Sequence, residues 1–146
     1  VKTFRYMAFI MLIMTSVFAH ADELEYFPIP SEQPLPFSDA VRVGDLLFLS
    51  GKIGNVAGTM KLVEGGIQPE TRQTMNHIKT AVEKYGGSMD RMVKCTVFLA
   101  DMAEWGAMNE VYMTFFPDNP PARSALGASG LALDARVEIE CIAALE

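Results

Sequence analysis

Arg136-Val137-Glu138-Ile139-Glu140-Cys141-Ile142-Ala143 sets Val137, Ile139, Cys141 and Ala143 at every second position, with Glu138, Glu140 and Ile142 between them. Successive side chains of a strand point to opposite faces, so the first set reads as a buried face and the second as a mixed one. Met92-Val93-Lys94-Cys95-Thr96-Val97-Phe98-Leu99 repeats the pattern, with Val93, Cys95, Val97 and Leu99 against Lys94, Thr96 and Phe98. Two such strands need helices over the apolar side. The other side, with Glu138, Glu140, Ile142, Lys94, Thr96 and Phe98, can meet solvent or line a wet interface between subunits. We expect an oligomer.

The cover for the apolar face is legible on either side of Met92–Leu99. Pro69 in a first helical turn, then Met75, Ile78, Val82 and Tyr85, predict an amphipathic helix over 69–85 that stops at Gly86-Gly87. Asp101 and Glu104 form a capping-box pattern for a second helix, which continues through Trp105, Met108, Val111, Tyr112 and Phe115 to Pro117. Further out, Ala40–Val43 and Leu46–Gly51 around Gly44-Asp45 read as a hairpin, residues 59–62 as a short strand and residues 123–128 as a strand before the last one. Pro28, Pro30, Pro34 and Pro36 make residues 22–36 an extended or irregular lead-in. The order is β-β-(β)-α-β-α-β-β, an α+β domain of about six strands with both helices on one sheet face.

Residues 1–21 read as a secretory signal peptide. Lys2 and Arg5 give a basic start, Met7 to Phe18 is apolar apart from Thr15 and Ser16, and Ala19-His20-Ala21 is a small-x-small cleavage site. The apolar run is far short of the roughly 20 residues that cross a bilayer. We expect cleavage after Ala21 and a periplasmic or secreted protein with no membrane contact afterwards. The chain from Asp22 onward is long enough for one compact domain and too short for two ordinary ones.

The formal net charge is −6, and loss of Lys2 and Arg5 makes it more negative still, which opposes binding to nucleic acid or anionic lipid. Export raises the question of a disulfide between Cys95 and Cys141, but geometry decides pairing, and both are expected as buried free cysteines. His77 is the one histidine beyond the leader. It reads as a surface residue, and no metal site is expected.

Chemistry concentrates in Asn119-Pro120-Pro121-Ala122-Arg123-Ser124-Ala125-Leu126 and in the strand-borne Glu138. A guanidinium holds a small carboxylate through two parallel hydrogen bonds, and a carboxylate can orient or activate water. The pair points to a site for small acids. From the residues alone, Arg123 can equally be a structural partner for an acid across the sheet, and Glu138 a solvated one.

Leu49-Ser50-Gly51, Thr71-Arg72-Gln73-Thr74, Asn109-x-x-Tyr112 and Pro121-Ala122-Arg123-Ser124, in this order and spacing, resemble the RidA/YjgF family of reactive-imine deaminases. The likeness spans residues 33–145, with the RidA-like domain taken as 37–146. It implies a chorismate-mutase-like fold, a homotrimer whose sheets form a central barrel, and ligand sites at the subunit interfaces. It also implies that Arg123 grips the substrate carboxylate, Glu138 handles water, Ser50 and Gly51 form a pocket wall, and Asn109 lies near the site. Phe37 stands where such deaminases usually carry a tyrosine, and Ala125 where they often carry a cysteine. The first change removes a hydroxyl from the pocket; the second leaves the backbone N–H but no thiol.

The expected activity is hydrolysis of 2-imino acids, of the 2-iminopropanoate or 2-iminobutanoate type, to 2-oxo acids and ammonia without a metal or organic cofactor. The alternative from another class is a non-catalytic trimeric binding protein for small carboxylates, which needs Arg123 but not Glu138. Endoribonuclease activity, attached to some members of that family, is disfavoured by the negative charge and the lack of basic clusters.

Overall fold

The computed structural model describes residues 23–31 and 33–145; the signal peptide and the cut before Asp22 lie outside them. Along the chain come β1 (Leu24–Pro28), β2 (Ser38–Val43), β3 (Leu46–Leu49), β4 (Lys52–Ile53), α1 (Ile67–Lys84), β5 (Met92–Leu99), α2 (Trp105–Tyr112), β6 (Ala122–Gly127) and β7 (Val137–Ala144). The strands form one sheet in the order β1-β2-β3-β7-β5-β6, with β4 also paired to β7. The last strand is therefore inserted between β3 and β5. Among the described residues only β5 and β6 run parallel, and a parallel pair needs a crossover, which α2 supplies. The fold is α+β.

The alternation of β7 holds along its whole length: Val137, Ile139, Cys141 and Ala143 are buried, while the residues between them are half-buried or exposed. Against them pack Met75, Ile78 and Val82 of α1 and Met108 of α2, none with measurable exposure. Lys94, Thr96 and Phe98 lie opposite Ile142, Glu140 and Glu138 on the uncovered face. Leu46, Phe48 and Leu126 are exposed among the described residues, and their register with Ala144, Ile142 and Phe98 places them on that same face. The face is part apolar and without cover from the other described residues.

Several expectations need correction. Residues 22–36 hold a regular element: β1 pairs with β2 as an edge strand, pinned where Phe27 stacks on Tyr85 at 4.2 Å. Pro28 ends it, and an edge strand tolerates proline because one row of its amides is unpaired anyway. Residues 59–62 give only an isolated bridge, Asn55 to Leu62, and the short strand is β4 instead. The sheet thus has seven strands. Val93 is exposed because a register shift between Met92 and Lys94 turns it out of the buried set. The capping box is half formed: Asp101 accepts the Ala103 N–H at 2.8 Å, but Glu104 turns away to pair with Arg136 at 2.5 Å. His77 is half-buried and bonded to Gln73 at 2.7 Å rather than free on the surface.

Cys95 and Cys141 are not free thiols. They face each other directly in the β5–β7 register, Cα atoms 4.1 Å apart, and form a disulfide under the helices. Alternation shows which face a residue takes but not which residue lies opposite. Cross-linking two central strands restricts the unfolded chain, and we expect Cys95→Ala with Cys141→Ala to lower the unfolding free energy by about 2–4 kcal/mol. Urea titration measures this, and coincident midpoints for the two proteins would refute it.

Candidate active site

Arg123 stands on β6 opposite Cys95 of β5, so its side chain leaves the sheet on the helix side. There α2 receives it. Asn109 Oδ1 accepts a hydrogen bond from Arg123 Nη1 at 2.6 Å, and the guanidinium lies 4.8 Å from the Tyr112 ring centroid and 5.7 Å from that of Trp105. A planar cation held by one amide and two aromatic faces is pre-aligned and keeps other N–H groups for a ligand. Tyr112 is buried, its hydroxyl has no hydrogen-bond partner among the described residues, and burial pushes its pKa up to about 12 against the opposing charge of Arg123. It therefore stays protonated. Ala125, two residues along β6, is half-buried on the same face. Ser124, between them, takes the opposite face and accepts a hydrogen bond from Lys94 at 2.8 Å.

Glu138 leaves β7 on the uncovered face, flanked by Phe98 of β5 and Ile53 of β4. Gly51 makes room for it. A Cβ at position 51 would lie 2.1 Å from Glu138 Oε1, so any side chain there would displace the carboxylate. Burial raises the Glu138 pKa, and the like charge of Glu140 adds to the effect. Ser50 holds the adjoining strand: its hydroxyl donates to the Ser38 carbonyl at 2.6 Å and its N–H to the Asp39 carbonyl at 3.1 Å. Phe37, exposed, immediately precedes Ser38.

The expected residues thus fall into two groups. Arg123, Asn109 and Ala125 share the helix side of β6, while Glu138 leaves the other face of β7 against Gly51, next to Ser50, which bonds to the Ser38 carbonyl beside Phe37. Within one chain the cation and the acid stand on opposite faces of the sheet. Two supporting clusters were not read from the sequence. Asp39 of β2 takes an ion pair from Lys52 and a 2.7 Å hydrogen bond from Tyr85, which tie both strands beside Ser50–Gly51 to α1. Burial pushes the Asp39 pKa up, but the bonds from Lys52 and Tyr85 outweigh it and hold it below the ordinary value. Glu70 of α1 is buried, and its Oε1 accepts the N–H groups of Arg136 at 2.6 Å and Val137 at 3.3 Å. It fixes the start of the strand that carries Glu138. An acid in the first turn of the helix, directly after Pro69, was the available signal.

This arrangement can be set beside known proteins. The profile of the family described as endoribonuclease L-PSP matches residues 31–145. The chain belongs to this family, the RidA/YjgF proteins. Over 115 residues it is 40% identical to a 2-iminobutanoate/2-iminopropanoate deaminase of Dermatophagoides farinae, covering 78% of this chain and 90% of that one. A mouse protein of the same name is 38% identical over 108 residues, with 74% and 80% covered. The crystal structure of RidA from an Antarctic Psychrobacter superposes with a TM-score of 0.73 at 31% identity, covering 86% of this chain and 99% of that one. The RidA/YjgF fold agrees with the sheet order and the two helices described above.

Proposed function

We propose that this protein is a cofactor-independent 2-imino acid deaminase whose site forms between copies of the chain, Arg123 from one and Glu138 from the next. The observation that carries the reading is the arrangement of Glu138: a half-buried acid of raised pKa, lodged against a glycine on a sheet face that the described residues leave open. The names of the relatives supply the reaction class. A homotrimer, with the open faces turned inward, would cover Leu46, Phe48 and Leu126 and bring a second copy's β6 to Glu138. Closed symmetric assembly is the ordinary way to bury such a face.

The chemistry asks little. The imine carbon is already electrophilic, so catalysis consists of holding the carboxylate and delivering water. Arg123 binds the carboxylate. Glu138 takes a proton from water as its oxygen bonds to C2, giving a tetrahedral carbinolamine. Return of that proton to nitrogen lets the C–N bond break as the hydroxyl proton passes to the departing ammonia, so that a protonated imine and water give ammonium and the 2-oxo acid. Phe37 and Ala125 leave this sequence intact, since neither position has to move a proton.

The test is the decay of 2-iminopropanoate and 2-iminobutanoate, generated in situ by an amino-acid oxidase, with and without the purified protein. Faster decay supports the enzyme. Unchanged decay together with saturable binding of a 2-oxo acid supports the carboxylate-binding trimer instead. Because Glu138 must be ionised to accept a proton, the acid limb of kcat/KM should lie above the ordinary glutamate range. Glu140→Gln removes the like charge and should move that limb to lower pH; a limb that stays put or rises speaks against Glu138 as the base. We also propose export, on the strength of the leader over residues 1–21, with an oxidase or dehydrogenase outside the cytoplasm as the source of imines.

A further inference from the structure

We propose that the preferred substrates are 2-imino acids with bulky apolar side chains, of the kind formed by oxidising leucine, methionine or phenylalanine, rather than the three- and four-carbon imines named for the relatives. This rests on the deaminase reading and deepens it. A cavity of about 550 Å³ opens beside Arg123. Its one charged group, Arg123, is bonded to Asn109, and the one other side-chain polar group lining it is the Tyr112 hydroxyl. Its floor is the buried pair Tyr112 and Phe116, rings 5.0 Å apart, and its rim is Met113, Pro117 and Pro120.

The rim prolines carry no N–H, so the walls away from Arg123 offer few donors. Ala125, on the same face as Arg123, adds only a methyl group, and Phe37 brings no hydroxyl to the opposing half-site. A cavity with one cation and otherwise largely apolar walls matches a monocarboxylate with a greasy tail. Pockets of roughly 300–1,000 Å³ hold ligands of drug size, and a 2-imino acid with a methyl side chain leaves most of this one unfilled. A polar side chain would lose its water there and, away from Arg123 and Asn109, find only the Tyr112 hydroxyl as a partner.

Each buried methylene is worth about a fourfold gain in binding. With the cavity partly open, kcat/KM for the imine from leucine should exceed that for the imine from alanine about tenfold, after the uncatalysed rates are subtracted. The comparison uses imines generated from alanine, leucine and phenylalanine by one amino-acid oxidase. Equal or reversed preference overturns the proposal. Failure to accelerate any imine defeats the deaminase reading instead, and calorimetry with the products then decides. Binding of 4-methyl-2-oxopentanoate about tenfold tighter than pyruvate sustains the apolar subsite, and equal affinities overturn it. Met113 is exposed, so Met113→Asp should fold. It should lower the leucine-to-alanine ratio severalfold, and an unchanged ratio would show that the side chain lies elsewhere.

Discussion

Arg123→Ala should lose about 10²–10⁴ in kcat/KM toward 2-imino acids, because two charge-assisted hydrogen bonds of roughly 1.5–3 kcal/mol each disappear together. The loss should appear without unfolding, since Arg123 is half-buried on the edge strand β6 and touches the core only through the face of the Tyr112 ring. Arg123→Lys should rescue little. Lysine cannot reproduce the fork that Asn109 orients and the Tyr112 ring supports, and an ammonium grips a carboxylate as a point charge. Initial rates and a thermal melt on the same samples make the comparison. Activity within about twofold of wild type would remove Arg123 from the site, since even one such hydrogen bond is worth more than that.

Glu138→Gln should divide the two functional readings. The amide fits the space beside Gly51 but cannot accept a proton, so turnover should fall by about 10²–10⁴, the range a positioned general base supplies. Affinity for a 2-oxo acid should hardly change, because Arg123 carries the carboxylate. Product binding and imine decay, measured side by side, separate the steps. Full turnover in this variant would leave water activation to another group; lost binding would mean that Glu138 holds the ligand and does not act on water.

Much of this was legible in the chain, and what was missed has a common cause. Periodicity marks faces, so β5, β7 and both helices lie within a few residues of where the sequence puts them, and Glu138 stands on the expected open face. Periodicity is silent on which residues stand opposite one another. The Cys95–Cys141 bond depends on register, as does the pairing of Arg123 with Cys95 that sends the guanidinium toward α2 rather than toward Glu138. The bulge near Val93 and the edge strand β1 likewise depend on partners far along the chain. Family likeness named the site residues, and the sheet's parity places Arg123 and Glu138 on opposite faces within one chain.

The composite site admits a direct test by complementation. Arg123→Ala and Glu138→Gln chains, each inactive alone, are co-expressed in equal amounts and the mixed oligomers purified. If each site takes its arginine from one copy and its acid from the next, random assembly of a closed ring restores about a quarter of wild-type activity. Mixed oligomers as inactive as either parent would contradict the account, because they would show that a site needs both residues from the same chain.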